Sequence, residues 1–168
     1  MTATTLSPGP MLPTVAGHGA SVDAGAGRYG VLIAGHRLLL GAHSAVRVLE
    51  PPGTYRLPNT HAWFLGLSNI RGTLIPVHDV AALLDGECDD RGRMLLVLGE
   101  GDASAGFLID ASPRHLMLAS QASDAAQASL PAPLAAHAGS SYDLAGVIWT
   151  ELDWGALLDE LGAMALNG

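Results

Sequence analysis

The chain has 168 residues, 49% of them hydrophobic and 14% charged, which is enough apolar material for one domain with a sizeable core. Its net charge of −8 argues against nucleic acid as a partner, because phosphates require clustered Lys and Arg side chains. The single cysteine, Cys88, cannot form an internal disulfide and favours a reducing compartment. We find neither a signal-peptide pattern nor an apolar run near the ~20 residues that cross a bilayer, so we expect a soluble, cytoplasmic protein.

The chain divides into a tail and one folded domain. Residues 1–27 are rich in Thr, Ala, Gly and Pro without apolar periodicity, and we expect them to be disordered. The folded domain is predicted to cover residues 28–165. Apolar runs that predict strands occupy residues 29–34, 37–40, 44–49, 66–70, 73–78, 93–98, 105–109, 115–119 and 142–150.

Short helices are predicted between some of these strands. One helical turn is expected at 61–65, a short helix at 80–84 with Asp79 as its N-cap, and another in the first half of 120–137, followed by a loop. A terminal helix capped near Asp153 should run to about residue 164. Many short strands separated by Gly and Pro favour a mainly β fold of barrels over a βαβ sheet.

The most informative stretch is the predicted hairpin at 66–78. Asn69 and Gly72 suit the first and last positions of a type I turn, which presents Arg71 outward at the tip. Pro76 removes one ladder donor, which predicts an edge or a bulge at that point. An exposed arginine beside an edge strand is suited to docking another protein, and an ordinary hairpin with a solvated arginine is the alternative.

No catalytic or cofactor site emerges from the sequence. The seven histidines are scattered without the i, i+4 spacing of a helical metal site, and neither a nucleophile elbow nor a phosphate loop occurs. We therefore expect no cofactor and no metal. The three tryptophans, Trp63, Trp149 and Trp154, are expected in the core rather than at an interface.

Two stretches together carry a family resemblance. They are Leu57-Pro58-Asn59-Thr60 and Trp63-Phe64-Leu65-Gly66-Leu67-Ser68-Asn69-Ile70-Arg71-Gly72-Thr73-Leu74-Ile75-Pro76-Val77-His78-Asp79. Their order resembles the CheW-like coupling domain of bacterial chemosensory systems, and the match extends more weakly over residues 28–161. The run after Glu50 and the block after Trp63 look most like the branch that controls type IV pilus twitching.

The resemblance implies a fold and a function. The fold would be two intertwined five-stranded SH3-like β-barrels with short helices and a C-terminal helix. The function would be that of a non-catalytic adaptor in chemotaxis or twitching motility. Its implied partners are the regulatory, CheW-like domain of a histidine autokinase and the cytoplasmic tip of a methyl-accepting chemoreceptor. Neither nucleic acid nor direct membrane insertion is implied, and such adaptors are recruited to membrane-associated receptor arrays.

The resemblance also suggests protein-interaction residues. Asn69, Ile70, Arg71 and Gly72 match the family's hairpin motif, whose arginine is implicated at the receptor-facing surface. Val46 falls in the third-strand region that lines the same surface. Family members often carry an acidic residue there that can pair with the arginine. In this chain direct alignment places Val48 at that position, and Glu50 becomes equivalent only after a small shift.

Two other functions remain open at this stage. One is a solitary SH3-type module for proline-rich peptides, which needs an exposed aromatic groove. The other is a small metal-assisted hydrolase using His78, Asp79 and His115.

Overall fold

The computed structural model describes residues 27–41, 44–51, 53–85, 93–118, 120–121 and 129–166. Its strands are β1 (Arg28–Ile33), β2 (His36–Leu39), β3 (Val46–Leu49), β4 (Phe64–Ile70), β5 (Thr73–His78), β6 (Met94–Leu98), β7 (Ala105–Ile109), β8 (Arg114–Leu116), β9 (Ser120–Gln121), β10 (Ala138–Leu144) and β11 (Val147–Leu152). Its α-helices are α1 (Val80–Asp85), α2 (Ala132–Ala135) and α3 (Trp154–Leu166). The predicted tail up to residue 26 and Cys88 lie outside the described residues.

The strands form two sheets. Sheet A has the order β8-β1-β2-β11-β10-β9, and sheet B has the order β3-β6-β7-β5-β4. The chain leaves sheet A after β2, builds sheet B, and returns to sheet A with β8, so the two units are intertwined. This arrangement confirms the mainly β expectation; β9, a strand of two residues, extends sheet A beyond five strands.

The two sheets repeat one pairing pattern. The order β8-β1-β2-β11-β10 matches β3-β6-β7-β5-β4, and in both the third and fourth strands are parallel while the other pairs are antiparallel. The hairpin β4–β5 and the helix α1 after it correspond to the hairpin β10–β11 and the helix α3, with each equivalent residue 74 positions later in the chain. Asp79 and Asp153 each donate a backbone N–H to the carbonyl of a residue at equivalent positions, Trp63 and His137. The β4–β5 hairpin can therefore be compared, residue by residue, with the β10–β11 hairpin of the same chain.

The described residues form three apolar clusters, and the central one joins the two units. The central cluster contains buried residues from both sheets and from all three helices, among them Phe107, Leu134 and Trp154. A second cluster, called here the B cluster, lies within sheet B and consists of Leu65, Ile70, Ile75, Val77, Leu95, Val97 and Leu108. A third, called the A cluster, lies within sheet A and consists of Leu39, Leu116 and Trp149. All three tryptophans are buried, which confirms their predicted place in the core.

Both predicted helix N-caps are confirmed. The Asp79 carboxylate accepts a hydrogen bond from the Ala82 backbone N–H at 3.3 Å, and the Asp153 carboxylate accepts one from Ala156 at 2.9 Å. On α3, Leu157 and Leu161 are buried and Leu158 packs against the central cluster, so these leucines form the apolar face of the helix.

The strand predicted at 142–150 and the helical turn predicted at 61–65 were wrong. The run 142–150 is not one strand, because Ala145 and Gly146 take φ values of 54° and 81° and reverse the chain between β10 and β11. The run 61–65 is not a helical turn throughout, since Phe64 and Leu65 already belong to β4. There, cross-strand pairing with β5, including a bulge between Phe64 and Gly66, overrides the local pattern.

Smaller shifts occur elsewhere. The first hairpin turns at Ala34-Gly35, one residue earlier than predicted, and β8 ends at Leu116. In 120–137 the helical turn is α2, in the half predicted as loop, because Pro131 and Pro133 suit a helix start. Of the half predicted as helix, Ser120–Gln121 is strand and residues 122–128 lie outside the described part.

One irregular segment completes sheet B. Residues 53–57, called here the 53–57 segment, lie beside the edge strand β4, where Tyr55 and Leu67 exchange backbone hydrogen bonds at 2.8 and 3.0 Å. Gly66 allows this close approach: its φ is 118°, and a Cβ there would collide with the Tyr55 carbonyl. The sequence alone did not predict this contact.

Candidate protein-interaction site

The hairpin tip is a tight two-residue turn. Ile70 pairs with Thr73, and between them Arg71 and Gly72 have φ values of 53° and 90°. Two positive φ values define a type I′ turn, so the predicted type I turn over 69–72 is wrong. The side chain of Asn69 still fixes the turn, because its Oδ1 accepts the Gly72 N–H at 2.8 Å.

The hairpin tip has one buried residue, which anchors it, and three exposed residues, which a partner can reach. Ile70 is 8% exposed and belongs to the B cluster, which ties the turn to the core. Asn69, Arg71 and Gly72 are exposed. A rigid hairpin thus holds the Arg71 guanidinium in solvent.

The hairpin lies in a stretch of this acidic chain that has no acidic residue. From Pro51 to His78 the sequence contains no Asp or Glu, while Arg56 and Arg71 are both exposed. In the described part of the chain the ion pairs are Arg28–Glu151, Arg93–Asp79 and His137–Glu160, so neither Arg56 nor Arg71 has a carboxylate partner. Both guanidinium groups are available to an anionic group on another molecule.

The remaining predicted site residues lie on or after β3. Val46 is half-buried and packs against the central cluster, while Glu50 is exposed just beyond the strand. In the order of sheet B, β3 and β4 are the two edge strands. Among the described residues Glu50 forms no ion pair with Arg71, and Val48 packs against the central cluster.

A buried ion pair supports the base of the hairpin. Asp79 is 0% exposed, and its two carboxylate oxygens accept hydrogen bonds from Nη1 and Nη2 of Arg93 at 2.6 and 2.9 Å. The role of Arg93 was not predicted from the sequence, because the pairing joins residues 14 positions apart. The only local signal is an arginine immediately before the fully apolar strand β6.

His78 sits in an aromatic environment. Its ring lies 5.5 Å from those of Phe64 and Phe107 and 6.1 Å from that of Trp63, measured between centroids. Burial lowers the pKa of His78 from 6.5 to about 4, and a hydrogen bond to the Gly106 carbonyl opposes this shift. The neutral imidazole is therefore the form present near neutral pH.

The three residues of the hydrolase hypothesis do not form a site. Asp79 is bound to Arg93, and His115 lies on β8 of the other sheet, against the ring of Tyr29. The described residues also contain no group of three His, Cys, Asp or Glu side chains placed to hold a metal ion. Across the same residues, no helix is both long and apolar enough to span a membrane.

Comparison with known proteins agrees with the fold. A family model described as CheW-like domain matches residues 29–161, most of the chain. The chain belongs to the CheW-like family. The crystal structure of the scaffolding protein TtCheW from Thermoanaerobacter tengcongensis matches 83% of this chain and 92% of its own, with a TM-score of 0.60 at 16% identity. At that identity the likeness establishes the fold alone.

A second protein is similar over a shorter stretch. Protein PilI of Pseudomonas aeruginosa is 34% identical over 65 residues, which cover 38% of this chain and 36% of that protein. The chain therefore matches little more than a third of this relative's length. The resemblance noted from the sequence is confirmed at the level of the family.

Proposed function

We propose that this CheW-like protein is a non-catalytic adaptor that couples chemoreceptors to a histidine autokinase. One surface binds the kinase's regulatory domain, which has the same fold, and the surface around Arg71 binds the helical tip of a receptor. Each interface is small, and the many linked contacts of an array supply the avidity. The adaptor acts in the cytoplasm, at membrane-associated arrays, and the PilI similarity favours control of type IV pilus twitching.

The observation that carries the proposal is the internal comparison of hairpin tips. At the offset of 74 residues, Arg71-Gly72 corresponds to Ala145-Gly146, and the first residue of both turns has φ near 53°. The first hairpin uses Ala34-Gly35 in the same conformation. An arginine is therefore not needed to make this turn. We infer that Arg71, the arginine at one of these three two-residue turns, is there to contact a partner.

The edge strands favour a second docking surface. Among the residues that the structure describes, β3 pairs only with β6, so a strand or loop of a like-folded domain can lie beside its other edge. Val46 and Glu50, which the family resemblance assigns to the receptor-facing surface, lie on or next to this edge. We propose Val46, Glu50, Asn69, Ile70, Arg71 and Gly72 as the interaction residues of the adaptor.

Binding to a receptor tip tests this assignment. We expect Arg71→Ala to weaken binding of a helical-hairpin receptor fragment by about tenfold, since arginines that form charge-assisted contacts are common binding hot spots. The variant should keep its fold because alanine already occupies this turn position at Ala34 and Ala145. Titration calorimetry with purified fragment measures the affinity.

Arg37→Ala is the matched control, because Arg37 is an exposed arginine on β2 of the other sheet. It should bind the receptor fragment as the unaltered protein does. Equal affinities for the Arg71→Ala variant and the unaltered protein would contradict the proposed site.

The peptide-binding alternative is less well supported. All eight aromatic residues lie in the described part of the chain, and Tyr55 alone is exposed. Proline-rich segments dock in grooves lined by several aromatic rings, and one ring does not form such a groove.

A further inference from the structure

One face of the β4–β5 hairpin, called here the outer hairpin face, is apolar and open. Residues directly opposite each other in an antiparallel ladder point to the same face of the sheet. Leu67 pairs with Tyr55 on one side and with Pro76 on the other, so these three side chains lie in one row. Asn69 and Leu74, opposite each other two residues further along, form a second row. Tyr55 and Leu74 are 72% and 59% exposed, and Leu67 and Pro76 are half-buried.

The opposite face of the same hairpin is the one that packs in the core. Ile70 and Ile75 point to that side, belong to the B cluster and are buried. Because successive strand residues alternate between the two faces, this burial fixes the orientation of the hairpin and turns the outer hairpin face towards solvent. Large apolar side chains that are exposed together are typical of surfaces that bind another molecule.

The equivalent row of the other hairpin is buried. The residues 74 positions after Leu67 and Pro76 are Ser141 and Thr150, which also pair with each other. Their hydroxyl groups share a hydrogen bond of 2.9 Å, and the two residues are 2% and 3% exposed. Sheet A therefore buries this row within the chain and fills it with small polar residues that satisfy each other. Sheet B has apolar residues in the same row and exposes them, which indicates an occupant from outside the chain.

The charge beside the outer hairpin face indicates the chemistry of that occupant. Arg71 lies at the tip, two residues after Asn69, and belongs to none of the ion pairs in the described part of the chain. Since residues 51–78 contain no acidic side chain, a second copy docked through the same face would bring two such stretches together without a carboxylate. Residues 1–26 of the chain contain a single acidic residue, Asp23. A separate, acidic partner is the better complement.

The dimensions of the outer hairpin face fit an α-helix. The 53–57 segment, β4 and β5 lie side by side. Adjacent strands are about 4.8 Å apart, so the two outer chains of these three are roughly 10 Å apart. This width is close to the diameter of an α-helix, about 10–12 Å. One helix along the hairpin can therefore cover both rows, whereas an added strand would pair with an edge of the sheet and leave the face open.

We propose that the outer hairpin face binds an amphipathic helix that carries acidic side chains beside its apolar stripe. The apolar stripe packs on Tyr55, Leu67, Leu74 and Pro76, and an acidic side chain accepts hydrogen bonds from Arg71. This inference rests on the proposed adaptor function, because it specifies the chemistry of the receptor segment that binds around Arg71. It adds four apolar residues to the interaction residues proposed above.

Titration calorimetry of the full chain with a helical-hairpin receptor fragment tests this face. We expect Leu74→Thr to weaken binding by about tenfold, the order of affinity that burying one leucine side chain contributes. The variant should keep its fold, because Leu74 is exposed and threonine is favourable in strands. Met117→Thr is the matched control, since Met117 is 60% exposed and directly follows β8 of the other sheet. It should bind the fragment as the unaltered protein does.

The salt dependence of the affinity separates the charged contact from the apolar one. Added salt should weaken binding of the fragment to the unaltered protein and to Leu74→Thr, because both retain the Arg71 guanidinium. It should have less effect on Arg71→Ala. Equal salt dependence of Leu74→Thr and Arg71→Ala would overturn the pairing of Arg71 with an acidic side chain of the helix.

The outcomes also distinguish this inference from the adaptor function. Equal affinities of Leu74→Thr and Met117→Thr would overturn the apolar face alone, and the adaptor function would stand if Arg71→Ala still bound more weakly. A fragment that does not bind the unaltered protein would overturn both. Tighter binding after removal of residues 1–26 would assign the face to the chain's own tail, and a dimer lost in Leu74→Thr on sedimentation would assign it to a second copy. Either result would overturn the inference.

Discussion

Three residues other than glycine share a strained backbone conformation at hairpin turns, and only one of them has a long side chain. Ala34, Arg71 and Ala145 have φ values between 49° and 54°, each followed by a glycine with positive φ. A left-handed residue with a Cβ costs on the order of 1 kcal/mol. Retaining an arginine under that cost fits a role in binding, because the alanines show that the turn itself needs nothing larger.

Replacing Arg71 with asparagine should raise the stability of the protein and weaken its binding to the receptor. Arg71→Asn introduces the Asn-Gly pair that type I′ turns prefer, and we expect it to raise the free energy of unfolding by about 0.5–1 kcal/mol. Urea unfolding measures the gain. The same variant should bind the receptor fragment more weakly than the unaltered protein, and a loss of stability would contradict the description of the turn.

His78 makes the fold sensitive to acid. Its pKa is about 4 in the folded protein and near 6.5 when unfolded, so between these values the unfolded state binds more protons. The contribution of the neutral ring is fully present above pH 6.5, is lost as the pH falls towards 4, and does not change further below that. The total loss from this residue is on the order of 3 kcal/mol.

His78→Leu should remove this component of the acid response. Leucine is the residue at the equivalent position, Leu152, where it is buried. We expect the stability difference between the variant and the unaltered protein to grow in favour of the variant as the pH falls from 6.5 to 4. Urea unfolding at several pH values measures it, and parallel stability profiles would contradict a buried neutral histidine.

At the scale of elements, two hairpins of the same design are followed by helices with different capping. Asp79 and Asp153 occupy equivalent N-cap positions, but Asp79 is buried against Arg93 whereas Asp153 is exposed. The cap is a local feature of the sequence, and the ion pair is a tertiary one. Their energetic contributions should therefore differ.

Alanine substitutions at the two caps measure this difference. Asp153→Ala should lower the free energy of unfolding by about 1 kcal/mol, the usual loss at an N-cap. Asp79→Ala should cost more, about 3–5 kcal/mol, because it also removes a buried carboxylate that both Nη atoms of Arg93 bind, and the Arg93 side chain is only 12% exposed. Chemical unfolding would show the ranking, and adding Arg93→Met to Asp79→Ala should recover part of the loss. Equal losses at the two caps would contradict the buried pair.

Local patterns predicted the elements whose cause is local. The apolar runs gave β6 and β7, and the caps gave α1 and α3. The β10–β11 turn was missed because Ala145-Gly146 lies inside an apolar run. A signal was nevertheless present, since the Asp143 side chain accepts the Gly146 N–H as Asn69 does for Gly72.

Contacts between distant residues could not be predicted in this way. The pairing of Arg93 with Asp79 and the bridge between Tyr55 and Leu67 depend on how sheet B curves, which no local pattern records. The candidate site likewise has one feature that the sequence predicted and one that it did not. Its exposed arginine followed from the hairpin pattern, whereas the absence of an ion pair between Glu50 and Arg71 among the described residues required the structure.

At the scale of the whole molecule, one central cluster joins both sheets and all three helices. The chain enters it through β1, directly after Gly27, whose backbone approaches the ring of His115. Residues 1–26 therefore precede the first described contact with the fold. We predict that a variant lacking residues 1–26 keeps the melting temperature of the full chain.

Differential scanning calorimetry of the two proteins checks this boundary. A melting temperature lower by more than about 4 °C would correspond to a loss of roughly 1 kcal/mol or more, and it would show that the tail belongs to the folded unit. The same preparation supplies the shortened protein for binding experiments.

The adaptor account places two partners on two surfaces of one small β protein. We propose that Arg71 belongs to the receptor-facing surface and that the kinase domain docks on the other. The two contacts can therefore be disrupted separately.

The most direct measurement is a calorimetric titration of the full chain with the regulatory domain of the chemosensory kinase from the same organism, with Arg71→Ala run in parallel. The account predicts saturable binding by both proteins with similar affinity. The absence of binding at high micromolar concentration would contradict the adaptor role.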